Sequence, residues 1–143
     1  MNWKDVVSEF EWDGSWRDIY VVGATVDDWQ RVLDALARLS PSPTFYIDGK
    51  PAPMPVSVKS LFEQRALSAP LLRLEVGHVG LKSHFFDEEE IEFDLDPREV
   101  QGPAELEALS DFMRLLADRT GKVATLTHEN TKSAVILAVA PGA

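Results

Sequence analysis

Residues 83–100 read SHFFDEEEIEFDLDPREV, and the second half of this stretch decides the fold class. Ile91, Phe93 and Leu95 alternate with Glu92, Asp94 and Asp96, a period of two with one apolar side. Successive side chains of an extended chain point to opposite faces, so the pattern predicts a half-buried strand with its carboxylates largely exposed. Eight acidic residues, Asp87, Glu88, Glu89, Glu90, Glu92, Asp94, Asp96 and Glu99, stand here against one base, Arg98. The stretch therefore carries −7 of the chain's −10 formal charge. If the apolar side faces a core, that charge faces water or a partner.

Around this strand the chain organises itself by the same periodicities. Leu71 to Leu95 predicts a three-stranded meander. With Gly77-His78 as a two-residue turn, Val76 faces Val79, Leu74 faces Leu81 and Leu72 faces Ser83. Downstream, Gly102-Pro103 opens the longest helix, with Leu106, Leu109, Met113 and Leu116 as its stripe and Gly121 as a left-handed cap. Val123–Thr127 and Ala134–Val139 read as the last strands. The unbroken apolar run of the latter predicts a strand covered on both faces.

Upstream, Asp13-Gly14-Ser15 separates Glu9–Trp12 from Trp16–Val22, and Asp-Gly predicts a hairpin turn between two strands. Thr25 is the expected N-cap of a helix, with Asp28 three residues on and Trp29, Val32, Leu33, Leu36 and Leu39 along one side. Ser40-Pro-Ser-Pro43 ends it, and Thr44–Ile47 is a short strand. Pro51, Pro53 and Pro55 preclude a central strand and favour extended chain at the surface. A short helix follows over 57–66. The expectation is one α+β domain spanning residues 1–143, in the order β-β-α-β-α-β-β-β-α-β-β. Its sheet is mixed or mainly antiparallel, with two long helices and one short helix packed on one side.

Composition narrows the function. At 143 residues, 45% hydrophobic and 27% charged, the chain has the make-up of an ordinary soluble domain. The absence of cysteine excludes disulfides, a thiol nucleophile and a zinc–thiolate site. Net charge of −10 opposes nucleic-acid binding, which needs a basic stripe. Lys4, Asp5, Glu9 and Glu11 leave no apolar core for a signal peptide. The longest apolar run, 134–140, falls far short of the roughly 20 residues of a membrane helix. A cytoplasmic protein with no membrane partner is expected.

Glu92, Asp94 and Asp96 are the candidates for a hard cation. Same-face neighbours on a strand sit roughly 6–7 Å apart, too wide to wrap a small ion, so neither metal nor cofactor is expected. His78, His84 and His128 are isolated, and no Gly-x-Ser-x-Gly, phosphate-binding loop, dinucleotide fingerprint or His-Glu-x-x-His occurs. No catalytic residue is assigned. The pattern points instead to a docking surface made by Asp87, Glu88, Glu89, Glu90, Glu92, Asp94 and Asp96, which would attract a basic protein and speed its association. All four tryptophans lie in the first 29 residues. Trp3, Trp12 and Trp16 are candidates for an aromatic interface, Trp3 being expected as the most exposed.

The strings DGSWRDIYV, DDWQRVLDAL, FYIDG, HFFDEEEIEFDLDPREV and LTHEN cover much of the chain. In these it resembles a set of small acidic bacterial proteins without an established activity. Through them it resembles the immunity proteins of polymorphic-toxin and contact-dependent inhibition systems. The resemblance implies a cytoplasmic bacterial protein that neutralises a cognate toxin by covering its active site. Three expectations stand: a non-enzymatic acidic binding protein, a metal-dependent or hydrolytic enzyme using Glu92, Asp94 and Asp96, and an assembly protein. The last would form a homodimer through a free sheet edge and its aromatic N-terminus.

Overall fold

Glu90–Leu95 is a strand with Ile91, Phe93 and Leu95 fully buried, inside an eight-stranded sheet in which every neighbouring pair runs antiparallel. The computed structural model describes residues 2–142. In chain order the strands are β1 (Arg17–Val22), β2 (Thr44–Ile47), β3 (Lys50–Ala52), β4 (Pro70–Val76), β5 (Val79–Ser83), β6 (Glu90–Leu95), β7 (Ala124–His128) and β8 (Thr131–Val139). Across the sheet their order is β3-β2-β4-β5-β6-β1-β7-β8. Four helices join them: α1 (Trp3–Val6), α2 (Val26–Ala37), α3 (Val58–Glu63) and α4 (Pro103–Thr120). The fold is α+β.

The helices cover one face. Trp29, Val32, Leu33 and Leu36 of α2 and Leu106, Leu109, Phe112, Met113 and Leu116 of α4 bury against Ile19, Val21, Ile91, Phe93, Leu95 and Leu126 in one cluster. The rings of Phe93 and Phe112 meet edge to face at 5.0 Å. Helix α2 starts as expected, Thr25 and Asp28 closing a reciprocal capping box, and α4 ends at Gly121 in the left-handed conformation. No helix of the described residues covers the opposite face, where Tyr46, Arg73, Lys82, Glu92, Asp94, Thr125 and Val135 are half-buried or exposed.

The meander has the anticipated register: Val76 opposite Val79, Leu74 opposite Leu81, Leu72 opposite Ser83. Its turn takes positive φ at both Gly77 (51°) and His78 (70°), as a two-residue turn matching strand twist requires. Gly77 has a second reason to be glycine. A Cβ there would stand 2.6 Å from Ala108 Cβ on α4.

Three expectations are corrected. The hairpin over 9–22 does not form: residues 3–10 are helical, and β1 sits in the middle of the sheet between β6 and β7. The Asp13-Gly14-Ser15 turn exists, with Asp13 Oδ1 accepting from Ser15 N at 3.0 Å, but the arm before it curls around Arg17 instead of pairing. The Arg17 guanidinium, 1% exposed, donates to the carbonyls of Glu9, Glu11, Ser15 and Trp16 and to the Asp13 carboxylate at 2.9–3.4 Å. Lys50–Ala52, read as extended surface chain, is a short strand, and it lies at the sheet edge where proline is tolerated. The order is therefore α-β-α-β-β-α-β-β-β-α-β-β. Finally β8 is not covered on both faces: it is the other edge, with Val135 49% exposed.

Two outcomes follow from the core. Phe93→Ala should lose about 3–5 kcal/mol in denaturant unfolding, since a fully buried ring leaves a cavity; a loss under about 1 kcal/mol would remove Phe93 from the core. Arg17→Met should cost about 3 kcal/mol by orphaning several carbonyls at once. Arg17→Lys should recover little, because an ammonium cannot span the fork.

Candidate functional site

The uncovered face takes its charge from strand parity. Arg17, Ile19 and Val21 of β1 turn to the helices, so Asp18, Tyr20 and Val22 turn outward. Antiparallel pairing sets Asp18 opposite Asp94, Tyr20 opposite Glu92 and Val22 opposite Glu90. On the other side of β6, Lys82 faces Asp94. Glu129, in the β7–β8 turn, accepts from Trp16 N at 2.8 Å and joins the same cleft. Like charges directly opposite one another weaken a sheet, and here two aspartates share one pair position.

Asp18 is 3% exposed and held by the Tyr20 hydroxyl at 2.9 Å and the Asn130 N–H at 2.8 Å. Burial nonetheless pushes its carboxyl above the usual range, the two hydrogen bonds opposing and Glu129 and Glu90 adding to the push. Glu92 is pushed up to about 7, first by desolvation and then by Asp18, Glu90 and Asp94, with Lys132 pulling the other way. Asp94 is raised by desolvation, against the pull of His84 3.8 Å away. Lys82, opposite Asp94 on β5, adds a second cation pulling the same way, and a third lies at the periphery. Lys132 reaches Glu90 at 2.5 Å and overlies the Tyr20 ring at 5.2 Å.

Two shallow clefts open on this face, of about 400 and 560 Å³, and share Trp16, Lys82 and Asp94. Trp16, 39% exposed, stands between them with the Lys82 ammonium 5.7 Å from its ring. The smaller is walled on its far side by His84 and Phe86, stacked at 5.1 Å, Phe86 being 58% exposed. This pair projects because Phe85 between them adopts positive φ (54°) and drives its own ring into the core beside Trp29. The result is an acidic floor between aromatic walls. Such a surface accepts cationic groups and hydrogen-bond donors.

Of the residues expected to form a docking face, Glu90, Glu92 and Asp94 come together here, half-buried where exposure was expected. Asp87, Glu88 and Glu89 are exposed in the loop before β6, whose backbone is tied to Ala24 N and Trp29 Nε1. Asp96 lies past the strand and binds the Arg98 guanidinium at 2.9 Å, so it does not join the other two carboxylates. Trp12 is 47% exposed under that same guanidinium, 3.8 Å from its ring centroid. Trp3, expected as the most exposed, is half-buried and stacked on Phe10. No family model matches the chain, and no curated protein or solved structure is significantly similar to it.

Sequence reasoning missed Asp18, Tyr20, Lys82, Glu129, Lys132 and Phe86. The parity of Asp18 and Tyr20 was present in RDIYVV, masked because an arginine falls on the core side and a valine on the open side. Among the described residues no group of three or more His, Asp or Glu side chains is placed to hold one metal ion, and no helix is long and apolar enough to cross a membrane.

The raised carboxyls set a pH dependence. A carboxyl with a higher folded than unfolded pKa binds more protons when folded, so its destabilising effect grows between pH 4.5 and about 7. The melting temperature should rise when pH is lowered from 8 to 5, and Glu92→Gln should raise it at pH 8 and flatten that rise. A melting temperature that climbs from pH 5 to 8 in the wild type would contradict this ordering.

Proposed function

We propose that the chain is a non-enzymatic binding protein whose uncovered sheet face docks a basic protein domain, and that it serves as an immunity protein occluding the active site of a cognate toxin. The observation that carries this reading is the opposed Asp18–Asp94 pair with Glu92 beside it, Asp18 buried and Asp94 and Glu92 half-buried but open toward solvent. Within the chain these carboxylates repel one another. A partner's lysine or arginine would relieve the repulsion, and Trp16 and Phe86 offer stacking and apolar contact at the rim. If the partner acts on nucleic acid, the carboxylates would occupy the positions of substrate phosphates. The resemblance to immunity proteins supplies the biological class; the charge and shape supply the surface.

A second reading is a hydrolytic enzyme, favoured by Glu92, whose pKa of about 7 suits general acid–base chemistry. It requires a different set from the one expected, since Asp96 is turned away.

The test starts from a partner captured from the native cell and identified by mass spectrometry. Its association should slow steeply with salt, as the Debye length falls from about 30 Å at 0.01 M to about 10 Å at 0.1 M. Glu92→Gln/Asp94→Asn should weaken binding by about tenfold or more. Asp34→Asn/Glu63→Gln, both exposed and elsewhere, makes the same formal change in net charge and, with both pairs assayed at pH 8 or above where Glu92 is ionised, should leave binding near wild type. Equal loss from the two pairs would refute a localised docking face. Turnover abolished by Glu92→Gln, in a purified chain given phosphoester, ester or peptide substrates, would replace this reading with the second.

A further inference from the structure

We infer that β8 pairs with β8 of a second copy of this chain, antiparallel about a two-fold axis, so that two eight-stranded sheets join into one. The inference is independent of the docking reading above. It begins from the contrast between the two sheet edges. At one edge, β3 is three residues long and carries Lys50 and Pro51, both of which discourage strand addition. At the other, β8 runs nine residues, and Ser133 to Val139 holds neither charge nor proline. Its inner side bonds to β7. No other described residue supplies a hydrogen bond to the outer side of Ser133–Val139.

The composition of that run, AVILAV, is that of a strand flanked on all sides by protein, yet Val135 is 49% exposed and Ala138 is exposed as well. An uncharged run of seven residues with one side of its backbone unpaired is a template for another strand. A second copy is the occupant that fits. Pairing β8 with itself about Ile136 sets Lys132 opposite Ala140 and Ser133 opposite Val139, so no like charges meet, and Lys132 is already engaged by Glu90. A foreign strand would be selected by complementary charges, and this run carries none. The acidic strand β6 lies three strands in from this edge, roughly 14 Å at about 4.8 Å per strand. That exceeds the Debye length of about 8 Å at physiological salt, so the net charge of −10 does not forbid the contact.

The test is the mass in solution by sedimentation or light scattering across a wide concentration range. The wild type should move from 15.9 kDa toward twice that value as concentration rises. Added salt should strengthen the dimer, opposite to the effect on acidic docking. Val135→Lys/Ala138→Lys, both at exposed positions, should hold the chain at the monomer mass with an unchanged circular dichroism spectrum. Leu67→Lys, 88% exposed at another site, should still dimerise. In the wild type, amide exchange over Ser133–Val139 should slow as dimer accumulates, which reads the edge directly even if the double variant fails to fold. A wild type that stays monomeric, a dimer that survives both lysines, or a dimer without that protection would each overturn the proposal.

Discussion

A guanidinium removed from water must find acceptors for its five N–H groups, and at Arg17 the chain supplies them by bending its own backbone. Four carbonyls and the Asp13 carboxylate converge on a side chain that points to the core side of the sheet. Residues 9–16 are the segment that supplies these acceptors. With arginine, those residues wrap the cation and leave both edges of β1 to β6 and β7. The same wrapping fixes Trp16 at the boundary of the two clefts, where its N–H meets Glu129. The geometry of the open face thus depends on a buried charge that contributes no atom to it.

The elements whose signals are local were legible from residue types alone. Thr25 with Asp28, Gly77-His78, Pro103 and Gly121 each work through backbone geometry within a few residues, and each marks the boundary or turn it signalled. The alternation at 91–95 likewise gave the correct inward face. What failed to show were effects created by distant pairing. Asp-Gly was a true turn signal, but a turn fixes a hairpin only if the flanking strand has a free edge, and β6 and β7 occupy both edges of β1 while the arm before the turn wraps Arg17. The candidate site was half legible for the same reason: Glu90, Glu92 and Asp94 come from one strand, whereas Asp18, Lys82 and Glu129 join them only through the sheet.

The sheet divides its labour by face. Toward the helices, Ile91 and Phe93 contribute burial and edge-to-face packing; away from them, Glu92 and Asp94 contribute electrostatic cost. The stabilising face is large enough to carry the other: hydrophobic burial of roughly 25 cal/mol per Å² over a dozen large side chains far exceeds the repulsion among a few half-solvated carboxylates. Local disagreement of this kind, held in place by a strong core, is typical of surfaces shaped by something other than stability.

The central placement of β1 also bears on how the chain reaches its native state. Arg17 pairs with Leu95 on one side and His128 on the other, so the strand made first during synthesis finds one partner only after residue 95 is made and the second only near the end of the chain. Local hairpins such as β4–β5 close early, while loop-closure entropy delays contacts of long sequence separation, so β6 and β7 wait with their inner edges bare. In that interval the sheet is open at its middle and prone to associate with other unfinished chains. The charges at Glu90, Glu92 and Asp94 then act as gatekeepers, keeping a bare strand of Ile, Phe and Leu from stacking on its own kind before β1 closes the gap.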